Sequence, residues 1–242
     1  MPGKLILLRH GQSQWNLENR FTGWTDVDLT QKGCQEAERA GRLISKCSFD
    51  IDIIFTSLLK RAVKTSQICL NQLKNQKIEV LKDWRLNERH YGSLQGLNKS
   101  ETAKKYGEEQ VLKWRRSYDI APPKINERDP RHPSKDSLYD NVEKNLLPSS
   151  ESLKDTLSRI NPFLKKHLFP EIKRGSNSLV VAHGNSLRAI IKNIKKISDV
   201  DILKLNIPTG EPYLFQLDEK LEVINDHYLK DQAKINRKAT ET

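Results

Sequence analysis

Two histidines in this 242-residue chain stand in the same local setting. Leu5 to Leu8 leads into Arg9-His10-Gly11, and Leu179 to Ala182 leads into His183-Gly184-Asn185, so each imidazole follows a short apolar run and precedes a glycine. A neutral imidazole is a competent nucleophile near neutral pH, and a phosphoryl group passed to it becomes a covalent intermediate that divides one hard step into two. The transferring group carries its negative charge on its outer oxygens, so the protein's task is chiefly positioning and charge stabilisation. Arg9 and Arg61 carry planar forks that match this geometry. A helix starting directly after His183 would aim free backbone N–H groups at the same anion. Glu88 would relay a proton to and from a substrate hydroxyl. None of these roles needs a metal.

These residues are scattered in sequence, so the elements around them must bring them together. Lys4 to Arg9 reads as a strand buried on both faces. Thr30 can cap a helix running to about Ser45, Ile51 to Thr56 is a second strand ended by Ser57, and a helix with Leu59, Ala62, Val63, Cys69, Leu70 and Leu73 on one side follows. Ile78 to Leu81 is a third strand. The β-α-β-α-β order predicts a mostly parallel sheet of the α/β class, with helices on both faces. Further on come a helix from Glu151 to about His167, kinked at Pro162, a strand at Ser178 to Ala182, and a helix beginning near Asn185. A last extended pair, Pro212 to Leu217 and Leu221 to Ile224, joins through Asp218 to Lys220. Ligands of open α/β sheets sit beyond the carboxyl ends of the strands. Those ends are Arg9-His10-Gly11, Ser57 to Arg61, Glu88-Arg89 and His183-Gly184-Asn185, which the topology brings to one edge.

Residues 83–150 differ in character, with two short helical stretches, Lys99 to Tyr106 and Glu108 to Tyr118, and then a proline-bearing loop. A loop that long inside a compact domain is usually functional, and we read it as an insertion covering the site. Residues 1–229 thus read as one domain, and 230–242 as a mobile basic tail.

Composition limits the alternatives. The formal net charge is +11, which suits an anionic partner of any size. The longest apolar runs are too short to span a bilayer, and the N-terminus leads into no signal-peptide core. Cys34, Cys47 and Cys69 form an odd set without a Cys-x-x-Cys pair, so the expected compartment is the reducing cytoplasm. A nucleic-acid module would concentrate its basic residues on one helix or ribbon with interleaved aromatics. Here they are dispersed, and neither a specific nucleic acid nor a membrane is expected as partner.

Leu8-Arg9-His10-Gly11-Gln12-Ser13 with Trp15-Asn16, and Ala182-His183-Gly184-Asn185-Ser186, resemble the two signatures of the histidine phosphatase superfamily. More narrowly, the chain resembles its cofactor-dependent phosphoglycerate mutases. The features that carry this are Asn19 to Trp24, Thr56-Ser57 with Arg61-Ala62, Glu88 to Gly92 with Leu94 to Lys99, Trp114-Arg115-Arg116, Glu151-Ser152-Leu153 and Asn206 to Gly210. The resemblance runs from about Lys4 to Leu229. It implies the three-layer phosphoglycerate mutase-like fold and the interconversion of 3-phosphoglycerate and 2-phosphoglycerate in glycolysis and gluconeogenesis, primed by the cofactor 2,3-bisphosphoglycerate. It implies that His10 is phosphorylated, that Glu88 gives and takes the proton, and that Arg9, Arg61 and His183 hold the phosphoryl group in transit. It further implies that Gly11, Gln12, Ser13, Asn16, Thr22, Gly23, Arg89, Tyr91, Lys99, Arg115, Arg116, Gly184 and Asn185 bind the rest of the substrate, and that the protein is a homodimer or homotetramer. A phosphatase of the same superfamily would let water take the phosphate, and a bisphosphoglycerate synthase is a close relative. The long insertion with Lys99, Arg115 and Arg116, and the Ser13 and Gly23 to Leu29 strings, favour the mutase. Taken singly, Arg115-Arg116 would read as a solvated helix face, Lys99 as surface, and Tyr91 and Trp114 as packing.

Overall fold

The computed structural model describes residues 1–230. In chain order it contains β1 (Leu5–Arg9), α1 (Gln14–Leu17), α2 (Gln31–Ser45), β2 (Ile53–Thr56), α3 (Lys60–Leu70), β3 (Glu79–Lys82), α4 (Lys99–Tyr106), α5 (Glu108–Arg116), α6 (Leu153–Phe163), α7 (Phe169–Lys173), β4 (Ser178–Ala182), α8 (Gly184–Lys195), β5 (Tyr213–Leu217) and β6 (Val223–Tyr228). The strands form one sheet in the order β3-β2-β4-β1-β5-β6. The first four are parallel, whereas β5 runs antiparallel to β1, and β6 antiparallel to β5.

The central strands read as continuous apolar runs because both of their faces are covered. Ile6, Leu8, Ile54, Leu179 and Val181 pack against Ala37, Ala40, Ile44 and Cys69 of α2 and α3. Their neighbours Leu5, Leu7, Phe55 and Val180 point the other way, onto Ile160, Phe163, Leu187 and Ile191 of α6 and α8. Alternation along each strand therefore builds two cores, and the mostly parallel sheet with helices on both faces is the architecture the element order predicts.

Several boundaries shift for local reasons. Ser13 and Asn16 form a reciprocal capping box that creates α1 inside a segment read as polar loop. Ser117 is extended, which ends α5 before Tyr118. Ser152 caps α6, and the helix passes Pro162 and widens into a π-turn over Leu164–Leu168 before continuing as α7. Pro170 cannot donate to a carbonyl four residues back, so a regular α-turn is not available there. Thr30 caps α2 as expected, its hydroxyl accepting from the Gly33 N–H at 3.0 Å. The tail expected over 230–242 lies, beyond residue 230, outside the described residues.

Residues 83–150 share two small hydrophobic clusters with the segment around Phe21 and Trp24. Val111 joins Phe21 and Leu94, while Tyr139 and Leu147 join Trp24. Trp114 packs against the first cluster.

Candidate active site

The register of β1 and β4 pairs Arg9 with Ala182, so the residues that follow, His10 and His183, emerge side by side. The His10 N–H donates to the Ala182 carbonyl at 3.0 Å, and the two ring centroids lie 5.0 Å apart, edge to face. Both side chains are almost fully buried.

His10 Nδ1 lies 2.7 Å from its neighbour's carbonyl, Gly11 O. A carbonyl can only accept, so this contact selects the tautomer with hydrogen on Nδ1 and leaves the Nε2 lone pair free. Burial, reinforced by the Arg61 and Arg9 guanidiniums, holds the imidazole well below its ordinary pKa, so it is neutral at pH 7. His183 is depressed by the same causes, with His10 itself contributing. Its Nε2 is 2.8 Å from Ser57 Oγ, at the end of β2, while its Nδ1 is buried without a partner among the described residues.

Gly11 places His10 by close approach. A Cβ there would stand 2.1 Å from the Gly33 carbonyl oxygen, and a Cβ on Gly33 would stand 2.1 Å from that of Gln12. Two glycines thus let the loop after β1 lie directly on the first turn of α2. Gly23 sits at φ +53°, a conformation that favours glycine, and its carbonyl accepts from Arg61 Nη2 at 2.7 Å. A second bond, Nη1 to Thr25 O at 3.0 Å, fixes the Arg61 fork, whose pKa burial lowers to about 10. Arg9 is anchored by Nη1 to Ile207 O at 2.8 Å, and its Nε is buried without a partner among the described residues. Glu88 Oε1 accepts from the backbone N–H groups of Arg89 at 2.8 Å and Asn185 at 3.1 Å. The second of these belongs to the first turn of α8, so that helix terminus faces the site as its position after His183 requires.

These side chains line one cavity of about 210 Å³. Arg9, His10, Arg61, Glu88 and Gly184 come from the strand ends, Tyr91, Lys99, Arg115 and Arg116 from the insertion, and Asn16, Thr22, Gly23 and Asn185 complete the lining. Asn185 Nδ2 reaches Tyr91 Oη at 3.2 Å, tying α8 to the insertion. Burial lowers the pKa of Lys99 and of Arg116, and Arg115 lowers both further by like charge. An anion between them would relieve that repulsion.

Gly11, Gln12, Ser13, Arg89 and His183 do not line the cavity. Gln12 is spent on Glu36 and Thr30, and Ser13 on the cap of α1. Arg89 lies behind the wall, donating to the Arg115 carbonyl at 2.9 Å and stacking on Tyr91 at 4.6 Å. Conversely, Arg20, Arg188, Asn206 and Ile207 join the lining without having been picked out as site residues. Arg20, Asn206 and Ile207 fall inside quoted motifs, and Arg188 lies three residues after Asn185, which puts the two on one helix face. That spacing was the available signal. Arg188 Nη1 donates to Asn185 Oδ1 at 2.9 Å.

Among the described residues, seven cationic side chains and one carboxylate line the cavity. Such an excess suits a small ligand that carries several negative charges. The described residues contain no cluster of three or more His, Cys, Asp or Glu arranged to hold a metal ion, and no helix long and apolar enough to cross a membrane.

Comparison with known proteins agrees with this geometry. The pattern of the histidine phosphatase superfamily (branch 1) matches residues 5–134. A 2,3-bisphosphoglycerate-dependent phosphoglycerate mutase 2 of Bacteroides thetaiotaomicron is 57% identical over 97% of this chain and 94% of its own length. A 2,3-bisphosphoglycerate-dependent phosphoglycerate mutase of Elusimicrobium minutum is 54% identical over the same shares. Among solved structures, a mycobacterial glucosyl-3-phosphoglycerate phosphatase superposes with a TM-score of 0.69 at 22% identity, covering 94% of this chain and 97% of that one. The α-ribazole phosphatase of Shigella flexneri gives 0.64 at 19% identity, over 91% and 93%. These structural likenesses concern the fold. With two neutral imidazoles at the adjoining ends of β1 and β4 and sequence identity spread over nearly its whole length, this chain belongs to the histidine phosphatase superfamily and, within it, to the 2,3-bisphosphoglycerate-dependent phosphoglycerate mutases.

Proposed function

We propose that this chain interconverts 3-phosphoglycerate and 2-phosphoglycerate, with His10 carrying the phosphoryl group between the two hydroxyl positions. The observation that carries the reading is the free Nε2 of a buried, neutral His10, set 5.0 Å from His183 in a cavity with a large excess of cations. The 54–57% identity to relatives that bear this activity in their names supports it.

In the loading direction, the His10 Nε2 lone pair forms the N–P bond while the ester P–O bond breaks. The departing oxygen keeps that electron pair and takes the proton of the Glu88 carboxyl. In the opposite direction, the Glu88 carboxylate removes the proton of the other substrate hydroxyl, whose oxygen forms the new P–O bond as the N–P pair returns to Nε2. Arg9 and Arg61 hold the phosphoryl oxygens, and His183 takes part of the charge that builds up in transit. Lys99, Arg115 and Arg116 hold the carboxylate and second phosphate, with Asn16, Thr22, Gly23, Tyr91, Gly184 and Asn185 completing the grip. Gly11, Gln12, Ser13 and Arg89 serve from behind, by holding the His10 loop and the Tyr91 wall.

When bound, 2,3-bisphosphoglycerate supplies the phosphoryl group that first loads His10. The donor set fits it, since the buried Nε of Arg9, which lines the cavity, lacks a partner among the described residues and the cavity charge is complementary. We extend the proposal, on the family resemblance and the cysteine usage, to a homodimer or homotetramer working in the cytoplasm, the first part of which sedimentation velocity reads directly.

The deciding experiment gives purified protein 3-phosphoglycerate with and without catalytic 2,3-bisphosphoglycerate and follows 2-phosphoglycerate and free phosphate together. Formation of 2-phosphoglycerate that depends on the primer is expected. Mostly free phosphate would instead make the chain a phosphatase.

A further inference from the structure

The segment from Trp84 to His90 carries Glu88, yet its only regular structure is a single 3-10 turn over Trp84–Leu86. Apart from Trp84 O, which accepts the Asn87 N–H at 3.0 Å, its carbonyl groups therefore need partners from elsewhere. One guanidinium reaches four of the segment's carbonyls. Arg159, on α6, reaches the carbonyl oxygens of Trp84 at 3.4 Å, Arg85 at 2.6 Å, Asn87 at 3.2 Å and Glu88 at 3.2 Å. Glu151, just ahead of the same helix, receives Arg159 Nε at 2.6 Å and Nη2 at 2.9 Å, and its Oε2 also accepts the His90 N–H at 2.8 Å. The pair thus grips the backbone on both sides of Glu88. Trp24 Nε1 adds a further bond to the Glu88 carbonyl at 2.5 Å.

The two side chains are only 5% and 4% exposed. Burying an ion pair costs desolvation that its attraction only partly returns, so stability alone is a poor reason for placing one here. A planar fork aimed at several carbonyls does achieve one definite backbone course. That course sets the carboxylate. Glu88 Oε1 is held by the N–H groups of Arg89 and Asn185, while Oε2 stands 3.7 Å from where a Cβ on Gly184 would lie, beside the cavity wall.

We propose that Arg159 and Glu151 are positioning residues for Glu88, fixing its carboxyl group for proton transfer to and from the substrate oxygen. The inference rests on the proposed phosphoryl transfer to His10. It predicts that weakening the pair harms proton delivery more than attack at phosphorus. When His10 is loaded from a phosphoglycerate ester, the P–O bond breaks, the N–P bond forms, and the alkoxide needs the Glu88 proton. From acetyl phosphate the same bonds break and form, but acetate leaves as a stable anion and needs none.

The test loads His10 of Arg159→Lys, Glu151→Gln and Glu151→Asp in single turnovers, with 2,3-bisphosphoglycerate and with acetyl phosphate, and compares each with the unaltered protein. Steady-state kcat and KM for 3-phosphoglycerate are measured beside them. Expected are losses of about 10- to 100-fold with 2,3-bisphosphoglycerate in Arg159→Lys and Glu151→Gln, against about 3-fold or less with acetyl phosphate. The loss in turnover should fall on kcat, and Glu151→Asp should recover part of it. Equal losses with both donors, a rise in KM at unchanged kcat, or variants that all fail to fold would each overturn the positioning role. An unaltered protein that loads His10 from neither donor would instead defeat the reading on which the inference rests.

Discussion

His10 and His183 meet edge to face, 5.0 Å between ring centroids, although 173 positions separate them in the sequence. The parallel register of β1 and β4 makes them neighbours, and burial beside Arg9 and Arg61 keeps both uncharged at neutral pH. One is free to attack at Nε2, while the other is held by Ser57.

Replacing the proposed carrier tests this assignment. His10→Ala should lower mutase turnover on the order of 1,000-fold or more. Intact-mass measurement after incubation with 2,3-bisphosphoglycerate should show phosphoryl addition to the unaltered chain and none to the variant. Appreciable mutase turnover in His10→Ala would rule out a phosphohistidine at this position.

The cations of the insertion act on binding. Lys99→Ala and Arg115→Ala each remove a charge that lines the cavity beside like charges. Each should raise KM for 3-phosphoglycerate by about 10- to 100-fold, corresponding to one charge-assisted hydrogen bond of roughly 1.5–3 kcal/mol. Steady-state kinetics decides, and an unchanged KM would place these residues outside the substrate's reach.

Gly11→Ala should be destabilising although it adds one methyl group. The new Cβ would meet the Gly33 carbonyl at 2.1 Å, so the His10 loop or the first turn of α2 must shift. The expected cost is about 1–3 kcal/mol in urea denaturation, with a fall in kcat as His10 moves from its place. Full stability in the variant would show that the loop yields easily.

Acid should weaken the fold from near neutrality downward. Burial keeps His10 and His183 well below their ordinary pKa and pushes His90 down to about 3. In the unfolded chain each titrates near 6.5 and binds a proton that the folded chain does not. Stability present above about pH 6.5 is therefore lost as the pH falls towards the folded values, by up to about 1.4 kcal/mol per pH unit for each histidine. Denaturation midpoints measured from pH 8 to pH 5 should show this slope, and constant midpoints would mean that these imidazoles are already solvated.

Chelation should leave the reaction untouched, because the proposed roles fall to imidazole, guanidinium and carboxyl groups. Activity is expected to persist after thorough EDTA treatment. A loss restored by a divalent ion would require a different account of charge stabilisation.

Sequence by itself determined the elements and the chemical groups of this protein. The apolar runs before His10 and His183 are legible because strands covered on both faces need no polar alternation, and the capping of α2 by Thr30 depends on neighbours in the chain. Short-range spacing also explains what went unread, since the Ser13–Asn16 box that makes α1 is a four-residue signal inside a polar stretch. What only the tertiary structure decided is which groups face the cavity and which stand behind it. Arg89 adjoins Glu88 in the sequence yet turns into the wall, whereas Arg188 and Asn206, from α8 and the segment after it, turn inward. The brace between Arg159 and the Glu88 loop spans 71 positions. Such contacts arise where separate segments meet over the sheet edge, and no local pattern of residue types encodes the direction in which a side chain points once they have met.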